Sequence, residues 1–272
     1  MYNDSFKTRF KKAPLAVSET VGEDTLPHIH KEFEMILVLC GNATVQIGKE
    51  EFVASKGDMV FVNPMEVHSL FPCKERPYLH KCICFDLSLL SDGGIRSQLA
   101  DGTLTAMHLL RGDSDCCKDT AVLFQKLFSL ADSEEQTMVL ESSAYVSLMF
   151  ADMIKGGILS GEARTDKESA FYLNVMKYIA ENYANDISSQ HPAKEMFYTQ
   201  SHFCRVFNKN FGLPFSSFLN IYRITKAKEM LETSKDKVSD VASKCGFTNF
   251  SYFTKCFKKY VGISPSEYRK CQ

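Results

Sequence analysis

Apolar residues are spaced differently in the two halves of this chain. Between Leu15 and about Asp86 they come in short runs or alternate with polar ones. Phe33–Cys40 is an apolar run interrupted by Glu34, Ala43–Gly48 alternates, Glu51–Ala54 and Met59–Val62 follow, and Tyr78–Asp86 alternates again. Turns at Gly41-Asn42 and Lys56-Gly57-Asp58 and a break at Asn63-Pro64 punctuate these runs, so the pattern predicts a small β-barrel or sandwich. From Cys117 onward the period is helical. Ala121, Phe124, Leu127, Phe128 and Ala131 mark one helix; Met138, Val139, Ala144, Tyr145, Leu148, Met149, Ala151 and Met153 mark a second, within Glu134–Lys155. Both are apolar over more than one stripe. One stripe can cover the barrel; the excess predicts either a homodimer through helices in 118–155 or full burial inside one domain. Gly156–Ser169 is polar and aperiodic and reads as a linker. The expected domains are therefore 1–155 (barrel about 12–110, helices about 118–155) and 170–272.

The second domain contains a repeat. Phe203, Val206, Phe207, Lys209 and Gly212 match Phe253, Cys256, Phe257, Lys259 and Gly262 at an offset of 50 residues. Upstream, Ala193 corresponds to Ala242, with one extra residue in the second turn. Each copy reads as a helix-turn-helix unit, over about 186–211 and 238–261. In the second, Val241 and Ala242 lie on the inner face of the first helix, Gly246 stands at the turn, and Asn249 is a good cap for the next helix. Phe253, Cys256, Phe257 and Tyr260 give that helix one buried face. Its other face, Ser251, Tyr252, Thr254, Lys255, Lys258 and Lys259, carries no acid. Short polar groups suit base edges and lysines suit phosphates, so this face fits the major groove of DNA; a solvated basic face on an ordinary helical hairpin is the alternative. A connecting helix over Phe215–Thr233 spans roughly 25 Å at the usual helical rise. With its turns it could set two recognition helices about 34 Å apart, one turn of duplex.

At this point the sequence resembles the AraC/XylS transcription regulators. Ala242, Gly246-Phe247, Tyr252-Phe253, Phe257-Lys258-Lys259, Gly262, Pro265 and Tyr268-Arg269 carry the likeness, over roughly Tyr172–Cys271. The resemblance implies two domains: a cupin-like α+β sensor with a helical pair, and an all-α double helix-turn-helix. It implies base contacts from Ser201, Cys204 and Arg205 in the first unit and from Phe250, Ser251, Thr254 and Lys255 in the second. Lys209, Lys258 and Lys259 are the expected phosphate contacts. Arg205 can bond guanine through both arms of its fork, or serve as a phosphate contact instead. Two residues depart from the family pattern: Pro192 stands where an apolar residue is usual, and Phe197 replaces the turn glycine. Proline is tolerated only in a first helical turn, so that helix is expected to begin near His191.

Charge follows the same division. Residues 171–272 hold 15 Lys+Arg against 8 Asp+Glu, and residues 1–170 hold 17 against 25. A basic module for double-stranded DNA joined to an acidic one has this asymmetry. The N-terminal MYNDSFKTRFKK has no apolar core and the run Met35–Cys40 is too short to span a bilayer, so the expected place is the cytoplasm, with the ten cysteines reduced. Cys116-Cys117 reads as loop, Arg111-Gly112-Asp113 as a turn, and His80 and His108 as ordinary residues.

One constellation in the first domain resembles the cupin motifs: Gly22-x5-His28-x-His30-x3-Glu34-x6-Gly41, then Gly57-Asp58, Pro64 and His68, with Met65 in place of a usual glycine. His28, His30 and Glu34 share parity and so share a strand face. Three imidazoles and a carboxylate suit a divalent ion such as zinc, manganese, iron or nickel. In similar sensors the same positions line an effector pocket without metal, and structural histidines are a third reading. The expected function is a transcription activator governed by a small molecule, a sugar or similar metabolite, with RNA polymerase as a further partner. The alternative is a metal-dependent cupin enzyme with a DNA-binding tail.

Overall fold

The computed structural model describes residues 14–22, 24–73, 78–130, 137–160 and 166–270. Its N-terminal domain is a sandwich of two antiparallel sheets. One has the order β1 (Leu15–Val21), β8 (Leu79–Phe85), β3 (Phe33–Cys40), β6 (Met59–Val62), β10 (Leu109–Leu110); the other has β2 (Thr25–His28), β7 (His68–Pro72), β4 (Asn42–Ile47), β5 (Glu50–Ser55). The apolar run Met35–Cys40 within β3 has a direct cause. Phe33, Met35 and Leu37 face an outer layer of helices, while Ile36 and Val38 face the second sheet. A strand covered on both sides reads as apolar, and its exception, Glu34, is buried.

The outer layer is α2 (Asp115–Leu130) and α3 (Met138–Lys155), whose Phe124, Leu127, Val146, Met149, Phe150 and Met153 join the core over β3 and β8. Ahead of them, α1 (Gly93–Asp101) is capped by Asp92 and adds Leu99 to that core. Residue 131 and the start of the expected second helix lie outside the described residues. Cys116 and Cys117 are not in a loop: they open α2, where Ser114 Oγ accepts from Cys117 N–H and the two thiols face Asp152 O and Gly57 O. Local polarity hid a helix start that depends on this cap.

The expected linker is shorter than its composition suggests. Ile158 and Leu159 are buried in the sensor core, and β11 (Leu159–Ser160) pairs with β9 (Thr105–Ala106). Two strand residues between glycines carry no periodicity to detect. Helix α4 (Asp166–Asn182) then begins the second domain.

That domain holds α5 (Gln190–Glu195), α6 (Gln200–Phe211), α7 (Phe215–Thr233), α8 (Val238–Lys244), α9 (Phe250–Val261) and α10 (Pro265–Lys270). Pro192 is the third residue of α5, inside the first turn where a missing N–H costs nothing. Helix α7 runs 19 residues and separates two cores. One gathers Phe171, Tyr172, Phe203, Phe207, Phe211, Phe215 and Phe218; the other gathers Ile224, Leu231, Val241, Phe253, Phe257 and Tyr268. No described helix is long and apolar enough to cross a membrane.

Candidate functional sites

The repeat seen in sequence is a repeat of hydrogen bonds. Tyr198 N–H donates to Ala193 O as Phe247 N–H donates to Ala242 O, closing each turn. Thr199 and Asn249 cap α6 and α9 by accepting from His202 and Tyr252 N–H, and Gly212 and Gly262 end these helices in the left-handed region. The extra residue of the second unit, Thr248, falls between turn and cap. Gly246, with φ 81°, could carry no side chain: an added Cβ would sit 2.5 Å from Tyr183 O and 2.9 Å from Arg223 Nη2. Phe197 takes the same left-handed turn at φ 60°, and its side chain is 97 % exposed. Among the described residues only Phe197 and Met65 are non-glycines with positive φ. They are the two positions where the sequence replaces an expected glycine.

On α6, Ser201, Arg205 and Lys209 are exposed, while Cys204 is half-buried against the core below. On α9, Phe250, Ser251, Lys255, Lys258 and Lys259 are exposed; Thr254 is half-buried and its hydroxyl donates to Phe250 O of its own helix. Two exposed neighbours belong with them. Tyr252 takes a hydrogen bond from Asn220 of α7, and His202 stands at the matching position of α6, against the Tyr198 ring. The 50-residue offset could have flagged His202. In both units the polar residues line one outward face of a helix whose other face is fixed by phenylalanines.

The sandwich holds the other site. His28 and His68 are paired across β2 and β7, and Glu34 reaches in from β3. Glu34 Oε2 lies 2.8 Å from His30 Nε2 and 2.9 Å from His68 Nε2, and one ligand atom from each of the four residues falls within 4.8 Å of the others. The structure therefore brings together all four residues the sequence singled out. Cys82 of β8 donates its thiol to Glu34 Oε1 at 2.9 Å, with Cys84 beside it. Burial works against the Glu34 carboxylate, but His68 and His30 more than offset it and hold the group well below the usual range. Burial, with His68 and His30 adding repulsion, holds His28 well below its ordinary value. His30 is held well above it, against its burial, by Cys84 and Glu34.

Farther in, Ser18 Oγ, Tyr78 OH and His80 Nδ1 are buried without a hydrogen-bond partner among the described residues. Burial pushes His80 down to about 4. It is no ordinary surface histidine. His108 is not ordinary either: it bridges Glu50 and Glu66 at 2.9 and 3.0 Å, and although burial opposes its charge these carboxylates hold it up to about 9. Arg111-Gly112 is a turn that clasps Asp58 through both Arg111 Nη1 and Gly112 N–H. None of these partners is near in sequence, which is why spacing did not reveal them.

Twin helix-turn-helix units joined to a sandwich with a buried polar cluster define a DNA-binding regulator with a ligand-binding domain. Comparison with known proteins agrees. Residues 20–147 match the AraC-like ligand binding domain and residues 193–271 a helix-turn-helix domain model. The transcriptional activator AarP of Providencia stuartii is 36 % identical over 105 residues, covering 39 % of this chain and 78 % of its own length. An uncharacterized HTH-type transcriptional regulator, YdeC of Bacillus subtilis, is 21 % identical over 89 % of this chain and 85 % of its own. The unsaturated-fatty-acid-bound structure of ToxT from Vibrio cholerae superposes with a TM-score of 0.60 at 13 % identity, over 94 % of each chain. The chain belongs to the AraC family of transcription regulators.

Proposed function

We propose that this regulator reads two successive major grooves, with α6 and α9 each laid in one, and that a ligand in the sandwich sets how firmly it does so. The observation that carries the reading is the pair of capped helices packed on the two halves of α7, with exposed Arg205 on one and exposed Lys255 on the other. Ser201, Cys204, Arg205, Phe250, Ser251, Thr254 and Lys255 are the proposed base-reading set; Lys209, Lys258 and Lys259 contact phosphates. Activation of transcription, the role in the name of AarP, is the proposed output, with RNA polymerase as the proposed further partner.

The sensor ligand is proposed to bind at His28, His30, Glu34 and His68. The unpartnered Ser18, Tyr78 and His80 favour an interior that meets polar groups. ToxT with a fatty acid bound is a precedent for the domain, and the polar cluster here argues for a different ligand class. A homodimer is proposed through the outer face of α2 and α3, where Val122, Leu140 and Leu148 are exposed. The enzyme alternative is set aside in favour of regulation, the role named for the relatives.

Fluorescence anisotropy with a duplex selected from a random pool tests the DNA reading. Arg205→Ala should weaken binding by about tenfold or more, as loss of a bidentate base contact does. Lys258→Ala and Lys259→Ala should each lower the slope of log affinity against log salt by about one. Unchanged affinity and slope in all three would overturn the groove assignment.

A further inference from the structure

His108 is anchored by its backbone at the edge of the sensor. It lies between β9 and β10, and its carbonyl accepts from Phe61 N–H of β6. Its neighbours are tied down too: Ala106 exchanges two hydrogen bonds with the Asn63 side chain, and Met107 N–H donates to Ile158 O. From this anchor the ring reaches two other segments. Nδ1 stands 2.9 Å from Glu50 Oε2, and Nε2 stands 3.0 Å from Glu66 Oε2. A carboxylate oxygen only accepts, so both ring nitrogens donate and the ring is an imidazolium.

Both of those segments carry the first helix-turn-helix unit. The β4–β5 turn ahead of Glu50 lies against the end of α6: a Cβ on Gly212 would stand 2.5 Å from Gly48 C and 2.8 Å from Lys49 N. The loop that holds Glu66 sends its two neighbours, Met65 and Val67, onto the core of the same unit, and Pro64 O accepts from Tyr172 OH of α4. Gly48 N–H donates to Val67 O and joins turn to loop. The core of the second unit takes no residue from either segment. A single side chain, anchored elsewhere, thus pins both pieces of the sensor on which the first unit sits.

We propose that His108 is a positioning residue for DNA binding: by bridging Glu50 and Glu66 it holds the seat of the first unit and so presents α6 to its groove. This rests on the reading of α6 as a groove-reading helix. A unit seated in advance loses less freedom on binding than one that the duplex must order. The bridge also depends on pH. Glu50 and Glu66 are the ionisable groups that meet the ring; Asp58, on the turn before β6, is paired with Arg111, and Lys49 is exposed. Burial opposes the charge, but the two carboxylates hold His108 up to about 9. The bridge is therefore whole near neutrality and is lost as pH rises through that value.

Two measurements on the full chain test this. Without DNA, hydrogen exchange at pH 7 should find α6 of His108→Gln exchanging about tenfold faster than in the parent, the size set by losing one hydrogen bond to a charged group. Helix α9 should be unchanged. Glu50→Gln, which alters only an exposed arm of the bridge, should show a smaller change in the same place. With a selected duplex, anisotropy at constant ionic strength should find the parent about tenfold tighter than His108→Gln at pH 7 and level with it at pH 10. Unchanged exchange in both variants, or faster exchange in α6 and α9 alike, would overturn the proposal. An affinity ratio that stays the same from pH 7 to pH 10 would overturn it too. A parent that binds no duplex would sink the groove reading, and the exchange contrast between α6 and α9 would then decide the seat by itself.

Discussion

The two helix-turn-helix units share caps, turns and terminal glycines, yet they are held by different parts of the molecule. The first has Ile29, Met65 and Val67 of the sensor in its core, and its terminal Gly212 lies so close to Gly48 that an added Cβ would stand 2.5 Å from that residue's carbonyl carbon. The core of the second takes no described sensor residue, though α9 lies against β2, with Leu26 Cδ1 3.5 Å from where a Cβ on Gly262 would stand. Its turn is gripped by Arg223, which is 8 % exposed and donates to Tyr183 O and Asn185 O at the end of α4. In the turn of the first unit Met196 and Tyr198 pack on the core below, while Phe197 is exposed to solvent. The sensor thus enters the core of one unit and only borders the other. A repeat in sequence is thus supported unequally in structure: sensor residues are built into the core of the first unit and not into that of the second.

The strongest way to break this comparison is Gly246→Ala. A Cβ against Tyr183 O, in a left-handed turn, should cost about 3 kcal/mol. Hydrogen exchange should show the loss confined to α8 and α9, with α6 still protected. Equal loss in both units would mean that they fold as one body and share their support.

His108→Gln sharpens the other half of the comparison, because Glu66 belongs to the segment on which the first unit rests. The His108 value of about 9 lies above the ordinary 6.5. Its contribution to stability is then complete below about pH 6.5 and is lost as pH rises through about 9. Thermal melts should show the variant well below the parent at pH 6 and level with it near pH 10. A deficit that does not change with pH would refute the ion pair.

Phe197→Gly should have the smallest effect and the opposite sign. Relief of a left-handed Cβ is worth about 1–2 kcal/mol, offset in part by the greater freedom of glycine in the unfolded chain. A net gain of about 0.5–1 kcal/mol in denaturant unfolding is expected. A loss would show that the exposed ring has a structural partner.

These same residues show what the sequence could and could not convey. Period and repeat revealed both helix-turn-helix units, down to the cap at Asn249 and the start of α5 just ahead of Pro192, because those features are local. The cluster of His28, His30, Glu34 and His68 was legible as a motif, but not through shared strand parity: His28 ends β2, His30 lies in the connection and Glu34 is on β3 of the other sheet, so the turn between the strands brings them together. Periodicity names a face and not its partner. Ile29 is one apolar residue between two histidines, and nothing near it says that it packs against helices about 190 residues later. His108 with Glu50 and Glu66, and Arg111 with Asp58, were missed on the same ground. Cys116-Cys117 and Leu159–Ser160 were too short or too polar to show their elements before the surroundings were known.

Hydroxyl-radical footprinting of the full chain on a selected duplex tests the central claim most directly. Two protected patches on one face of the DNA, about one helical turn apart, with Arg205→Ala removing one and Lys255→Ala weakening the other, are the predicted result. A single patch, or two patches that both vary with either substitution alone, would contradict it.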